Sequence, residues 1–351
     1  MSQAFRALLK KVGSGRHTSE SLTRSEATEA ALMMLTQEAT PAQIGAFMIA
    51  HRIKRPTAEE LAGFLDAYDK IGPKIKSVKA NYPTMVFGIP YDGRSRTAPV
   101  QPLVSLMLSA MGCPVLLHGG SRMPTKYGIP LIEIWQSLGV DWKGLSLDAI
   151  QEIFQRTCQG FIYLPDHFPG AHSLVPYRDQ IGKRPPLATI ELMWCPYQGN
   201  CQVVVGYVHP PTEELAKKTL TLTGNQHFIT VKGLEGSSDL PRARTAIIGI
   251  HQGSNEDRLL LHARDYDLGS LSEEPLQALP DYLVALKETL HGKSTGLSPA
   301  TVWSGGFYLW QSGITQSLKE GIEKAKALLG SDRLIKHLSS LIQEINLHRN
   351  T

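Results

Sequence analysis

Two glycine-containing stretches carry the residues of this chain best placed to do chemistry. The first is Gly88-Ile89-Pro90-Tyr91-Asp92-Gly93-Arg94-Ser95-Arg96, and the second is His118-Gly119-Gly120-Ser121-Arg122. Glycine lets a backbone approach a ligand closely, and exposed N–H groups in such loops bind anions. Arg94, Arg96, Arg122 and Lys126 add positive charge. The chemistry to expect is the holding of a phosphate, a diphosphate or another anion. Either loop alone is equally well read as an ordinary turn with solvated arginines. Two in one unit favour an anion site.

The elements that must position these loops follow from the flanking residues. Val86 and Phe87 lead into the first loop, Val115-Leu116-Leu117 lead into the second, and residues 100–111 between them are apolar at helical spacing. That order is strand, loop, helix, strand, loop, with both loops at the carboxyl ends of strands, where open α/β sheets bind ligands. Further strands are expected at 160–164, 202–208, 227–231 and 245–249. Helices are expected at 130–138, 147–155, 212–222, 276–291, 317–328 and 331–347. Such alternation predicts an α/β fold with a mostly parallel central sheet covered by helices. Segments 237–244 and 256–270 read as surface loops or hairpins.

Residues 1 to about 72 show no strand pattern and predict a small helical domain. Ser25 with Thr28 and Glu29 is read as opening one helix. Thr40-Pro41 opens the next, with proline at its first position, and Thr57 caps a third whose first turn holds Glu59 and Glu60. Lys54 and Arg55, between helices, read as solvated.

The chain has 351 residues, 42% of them hydrophobic and 19% charged, which suits a globular protein with a large core. A net charge of +4 permits phosphate or nucleic-acid partners without arguing for them. Cys113, Cys158, Cys195 and Cys201 show no CxxC spacing. A disulfide or metal site at Cys195 and Cys201 stays open, with free thiols in a reducing compartment the default. No apolar run approaches the ~20 residues of a membrane span, and no signal peptide is apparent, so a cytoplasmic protein without membrane partners is expected.

The run from Ala42 to Lys54, with Glu59-Glu60-Leu61-Ala62-Gly63 after it, resembles the second helix region of anthranilate phosphoribosyltransferases. The two glycine loops fall where that family has its diphosphate loop and its His-Gly-Asn-Arg loop. The resemblance covers nearly the whole chain and is strongest to the family's divergent second-type paralogues. It implies the nucleoside phosphorylase/phosphoribosyltransferase fold of glycosyltransferase family 3. The implied helical domain spans 1–77, joined by part of 165–190, and the α/β domain spans 80–351. It further implies a homodimer formed through the helical domain, and a magnesium-assisted transfer of phosphoribose from phosphoribosyl pyrophosphate to anthranilate, a step of tryptophan biosynthesis.

Against the family pattern the site residues divide. The family's Gly-Thr-Gly-Gly-Asp-Gly is matched by Gly88, Asp92 and Gly93, but Ile89, Pro90 and Tyr91 replace its centre, and Pro90 has no N–H to donate. Ala98-Pro99-Val100-Gln101 stands where the family has a polar Asn-x-Ser-Thr stretch. In the second loop His118 and Gly119 match, Gly120 and Ser121 replace asparagine and arginine, and Arg122 lies one place on. Arg178, in Pro176-Tyr177-Arg178-Asp179-Gln180-Ile181-Gly182, takes the place of the acceptor-site arginine, followed by Lys183 and Arg184. Glu235-Gly236-Ser237-Ser238-Asp239 aligns with the family's acidic metal stretch, where only Asp239 approximates a ligand.

The expectation is therefore a phosphoribosyltransferase-like protein whose efficient turnover of anthranilate is doubtful. The alternative is a non-catalytic binder of nucleic acid or of a phosphorylated metabolite. It would use a basic cleft formed by Arg94, Arg96, Arg122, Lys126, Arg178, Lys183 and Arg184, with Tyr91, Tyr127 and Tyr177 among them.

Overall fold

A computed structural model describes residues 3–15 and 17–349. The first four helices are α1 (Gln3–Gly13), α2 (Arg24–Leu35), α3 (Pro41–Lys54) and α4 (Ala58–Ile71). Three of them begin in capping boxes: Thr23 with Glu26, Thr40 with Gln43, and Thr57 with Glu60. Each box satisfies two N–H groups that a helix start leaves unpaired. The cap of α2 is thus Thr23 rather than the Ser25 region, because only Thr23 has a glutamate three residues on that can reach back. Phe5, Phe47 and Phe64 meet at the centre of this bundle. Among the described residues no helix is long and apolar enough to cross a membrane.

A short strand β1 (Ile75–Lys76) leaves the bundle. The main strands are β2 (Thr84–Gly88), β3 (Val115–Gly119), β4 (Gln159–Tyr163), β6 (Cys201–Gly206), β7 (His227–Val231), β8 (Ala246–Gln252) and β9 (Asn255–Leu261), while β5 (Tyr197–Gln198) pairs with β1 in a separate two-stranded ladder. The sheet order is β4-β3-β2-β6-β7-β8-β9. It is parallel through β7, then antiparallel through the β8–β9 hairpin. Strands β2, β3 and β4 are buried along their whole length, as a parallel sheet covered on both faces requires. The outer strand β9 lies within a segment read as loop or hairpin. Its Glu256, Asp257 and Arg258 are exposed and keep the free edge polar.

Helices α5 (Gln101–Ala110), α6 (Leu131–Ser137), α7 (Leu147–Thr157), α12 (Pro210–Leu222), α13 (Leu279–Leu290), α15 (Leu318–Leu328) and α16 (Asp332–Arg349) follow the expected alternation. Four short helices intervene: α8 (Leu164–His167), α9 (Pro169–His172), α10 (Val175–Gln180) and α11 (Leu187–Ile190). Of these, α10 packs on α3 and α11 on α4. Helix α14 (Leu297–Gln311) has no counterpart in the sequence reading. It is buried nearly all round, so it has no apolar stripe to betray it. A Cβ at Gly306 would stand 2.7 Å from the backbone nitrogen of Ile322, so glycine there lets α14 and α15 touch backbone to backbone.

Candidate functional site

Three loops meet at the carboxyl edge of the sheet. They follow β2, β3 and β7 and contain residues 89–100, 120–130 and 232–240. Close backbone approach explains several of their glycines. A Cβ on Gly88 would lie 1.8 Å from the carbonyl oxygen of Leu192, and one on Gly128 would lie 2.4 Å from that of Arg94. Gly93 has φ +75°, a conformation few other residues adopt without strain. The first two loops are stitched together by Gly128 N–H to Asp92 O (2.9 Å) and Ile129 N–H to Arg94 O (2.8 Å). Gly88, Gly93 and Gly128 therefore serve loop-to-loop packing in this structure. Gly119 and Gly120 meet only side chains.

The centre of the site is an ion network. Arg94 is only 4% exposed. Its Nη1 donates to Asp239 Oδ2 (2.9 Å) and Ser237 Oγ (2.8 Å), and its Nε lies 3.4 Å from Glu235 Oε1. Glu235 also accepts from the backbone N–H groups of Arg96 (3.0 Å) and Thr97 (2.9 Å). Burial would raise the Glu235 pKa, but those N–H groups and Arg94 hold it down to about 2. Burial raises the pKa of Asp239, opposed by Arg94.

The expected basic cleft is corrected by this pairing. Asp92 is buried between Arg184 and Lys126, whose Nζ is 3.6 Å from Oδ1. Lys126 also donates to Gly93 O (2.9 Å) and lies 3.8 Å from Glu235. Arg178 is buried against Glu191, and Arg122 forms a double contact with Glu133 at 2.7 and 2.8 Å. Tyr91 and Tyr177 are buried rather than interleaved with surface cations, and only Tyr127 is exposed. Arg96, with an 80% exposed side chain, and Lys183 remain turned to solvent. The partner carboxylates Glu133 and Glu191 were not read as site residues. They lie outside both glycine motifs, and no short-range signal links them to their arginines.

Tyr91 lies in the first glycine loop, between Gly88 and Gly93. Its hydroxyl lies 2.7 Å from His118 Nδ1, and His118 Nε2 lies 3.1 Å from Trp194 O. A carbonyl can only accept, so Nε2 carries the imidazole hydrogen and the Tyr91 hydroxyl donates to Nδ1. Burial pushes His118 down to about 4, so the ring is neutral at physiological pH. Tyr91 stands between two small cavities and lines both. One, of about 30 Å³, lies against Arg94, Gln101, His118 and Asp239. The other, of about 20 Å³, lies against Tyr68, Met123, Arg178 and Glu191. Each has room for a water molecule or two. Each also holds unpartnered buried polar atoms: Asp239 Oδ1 and Gln101 Nε2 in the first, Arg178 Nε and Nη2 in the second.

The residues present do not fit a protein-held magnesium ion. Arg94 already bridges Glu235 and Asp239, and Ser238 donates to Gln101 (2.8 Å). Among the described residues no group of three or more histidine, cysteine or carboxylate side chains is arranged to hold a metal. A hard dication needs several free oxygens.

Beside this closed centre runs an open groove of about 830 Å³ between bundle and sheet domain. Arg52, Arg55, Lys183 and Arg184 line it, together with His209 and Thr212 at the start of α12, and no carboxylate does. Arg52 was not singled out from the sequence, since a cation at a helix end usually only complements the dipole.

The family comparisons agree with this architecture. Residues 6–71 match the glycosyl transferase family helical bundle domain, and residues 94–332 match the α/β domain of that family. The chain is 26% identical to anthranilate phosphoribosyltransferase of Azorhizobium caulinodans over 94% of its length and 93% of the relative's. It is 25% identical to an uncharacterized protein of Aquifex aeolicus over 90% and 96%. Among solved structures, anthranilate phosphoribosyltransferase from Saccharomyces cerevisiae in complex with PRPP and Mg superposes with a TM-score of 0.83 at 17% identity, over 99% of both chains. The enzyme from Thermus thermophilus gives 0.77 at 19%, over 98% of this chain and 100% of that one.

Proposed function

This chain belongs to the glycosyl transferase family whose helical-bundle and α/β domains it matches in order, as an anthranilate phosphoribosyltransferase-like member, and from that premise we propose that it binds a phosphoribosyl pyrophosphate-like or other phosphorylated ligand in the cleft between bundle and sheet, without turning over anthranilate at an enzyme's rate. The observation that carries this reading is the place of Arg94. Where a phosphoribosyltransferase needs carboxylates free to work with magnesium, Arg94 neutralises Glu235 and Asp239 from within the protein. Electrostatic stabilisation of the leaving group is the largest part of what such an enzyme supplies. Pro90 and Tyr91 further remove the N–H and the space that the family's loop offers a diphosphate.

The groove lined by Arg52, Arg55, Lys183 and Arg184 supports the same reading, since it offers cations to a phosphate. Arg178, paired with Glu191, leaves its Nε and Nη2 without a partner beside the cavity that Tyr91 lines, which offers donors to a small anion. Of the residues read from the sequence, we assign anion binding to Lys183 and to Arg184, which also pairs with Asp92. Arg94, Lys126, Asp92 and Asp239 we assign to holding the loops. The groove gives the nucleic-acid alternative its one specific support, because a polyanion needs an open cationic track. Division into a helical domain that includes α8–α11 and an α/β domain, assembly as a homodimer through the bundle, and a cytoplasmic location complete the reading.

The test is a product assay with fluorescent anthranilate, phosphoribosyl pyrophosphate and magnesium. Negligible turnover is expected. A rate of about 1 per second or more, the usual enzyme scale, would overturn the reading.

A further inference from the structure

Cys195 and Cys201 face each other across the turn that carries β5, with Sγ atoms 3.4 Å apart. Both are free thiols, as are Cys113 and Cys158. Neither belongs to the site described above. Both are half-buried, and Gln198, Gly199 and Asn200 between them are exposed, so the turn opens to solvent. The same turn receives the chain as it passes from bundle to sheet. Ile75 and Lys76 pair in parallel with Tyr197 and Gln198, and Ile75 N–H donates to Pro196 O at 2.8 Å.

A disulfide bond is about 2.0 Å long, so the sulfurs need to close by roughly 1.4 Å to join. In a reducing compartment the disulfides that do form are usually transient and catalytic or redox-sensing. We propose that Cys195 and Cys201 are a redox-active dithiol, Cys195 the attacking thiol and Cys201 the resolving one, whose co-reactant is a small-molecule disulfide of the glutathione class. The asymmetry comes from the surroundings. The two sulfurs share a hydrogen bond, and that bond, the Tyr197 N–H and the nearby Lys74 ammonium favour a Cys195 thiolate over burial and lower its pKa. Cys201 moves the opposite way, raised by its bond to Cys195 and by burial.

The exchange proceeds in two displacements. The Cys195 thiolate attacks one sulfur of the small disulfide. That sulfur–sulfur bond breaks, and one thiolate departs, taking up the proton Cys195 gave. Cys201 then loses its proton and attacks Cys195 Sγ, expelling the second thiolate, which takes that proton. Two protein thiols have lost two electrons and two protons, and one small disulfide has become two thiols.

The experiment equilibrates the full chain with mixtures of reduced and oxidised glutathione, quenches by alkylation, and reads intact mass and peptide maps. Expected is a folded species lacking two hydrogens, in which only Cys113 and Cys158 are alkylated after unfolding, and which dithiothreitol reverses. Cys201→Ser should accumulate one glutathione on Cys195. Cys195→Ser should react roughly tenfold more slowly. Circular dichroism establishes that each variant is folded. Full alkylation of Cys195 and Cys201 at every glutathione ratio would overturn the proposal. So would an adduct on Cys113 or Cys158 in the Cys201→Ser chain, or undiminished reactivity of Cys195→Ser.

Discussion

Replacing Arg94 by methionine should damage the fold far more than it damages anion binding. Arg94 is buried, and its guanidinium is the counter-charge of both Asp239 and Glu235. Once it is gone, Glu235 still accepts from the N–H groups of Arg96 and Thr97, but Asp239 keeps only Val100 N–H at 3.1 Å. Removing one partner of a buried pair typically costs about 3–5 kcal/mol, because a charge is left without compensation. An unfolding entropy of about 2.1 cal/mol/K per residue over 351 residues converts that loss to a Tm lower by roughly 4–7 °C. Arg96→Met, at an exposed position, should stay within about 0.5 kcal/mol of the parent. Asp239→Asn in the Arg94→Met background should recover part of the loss, since it removes the orphaned charge. Calorimetric scans of the parent, Arg94→Met, Asp239→Asn and the double variant complete the cycle, with Arg96→Met scanned beside them. The reasoning fails if Arg94→Met and Arg96→Met melt together, or if Asp239→Asn adds its full cost instead of relieving it.

Stability should also fall on mild acidification. The buried His118 imidazole is pushed down to about 4, while an unfolded histidine titrates near 6.5. Between those values the unfolded chain binds the extra proton. This contribution is therefore complete above about pH 6.5 and shrinks as pH drops toward 4, by at most about 3 kcal/mol. Urea titrations at pH 7 and 5 should show the loss, and His118→Gln should reduce it but not abolish it, because burial shifts His337 in the same way. In light scattering at micromolar concentration the chain should be a homodimer, which Ile53→Glu should dissociate. On the bundle, Ile53 of α3 is 75% exposed and Ile71 of α4 42%. A monomeric parent would rule that interface out.

The fold was legible where its signals are local. Strands β2 and β3 and the helix between them show as apolar runs closed by glycine, and Thr40 and Thr57 show as caps because their partners lie three residues on. What escaped has long-range causes. Helix α14 is surrounded by protein, so periodicity says nothing about it. The ion network pairs Arg94 with residues more than 140 positions away. No composition or spacing distinguishes a cation facing solvent from one facing a distant carboxylate, which is why a basic cleft was expected where a largely neutralised one stands. Tyr91 was legible as bulk in a phosphate loop, but its bond to His118 was not.

Isothermal titration of the chain with phosphoribosyl pyrophosphate, with and without magnesium, beside a titration with a single-stranded oligonucleotide, tests the central claim most directly. Expected is binding of the phosphoribosyl compound that persists without magnesium, weakens with salt as its phosphates are neutralised by protein cations, and falls in a Lys183→Ala, Arg184→Ala chain. Saturable binding that requires magnesium and ignores both salt and those two residues would contradict it.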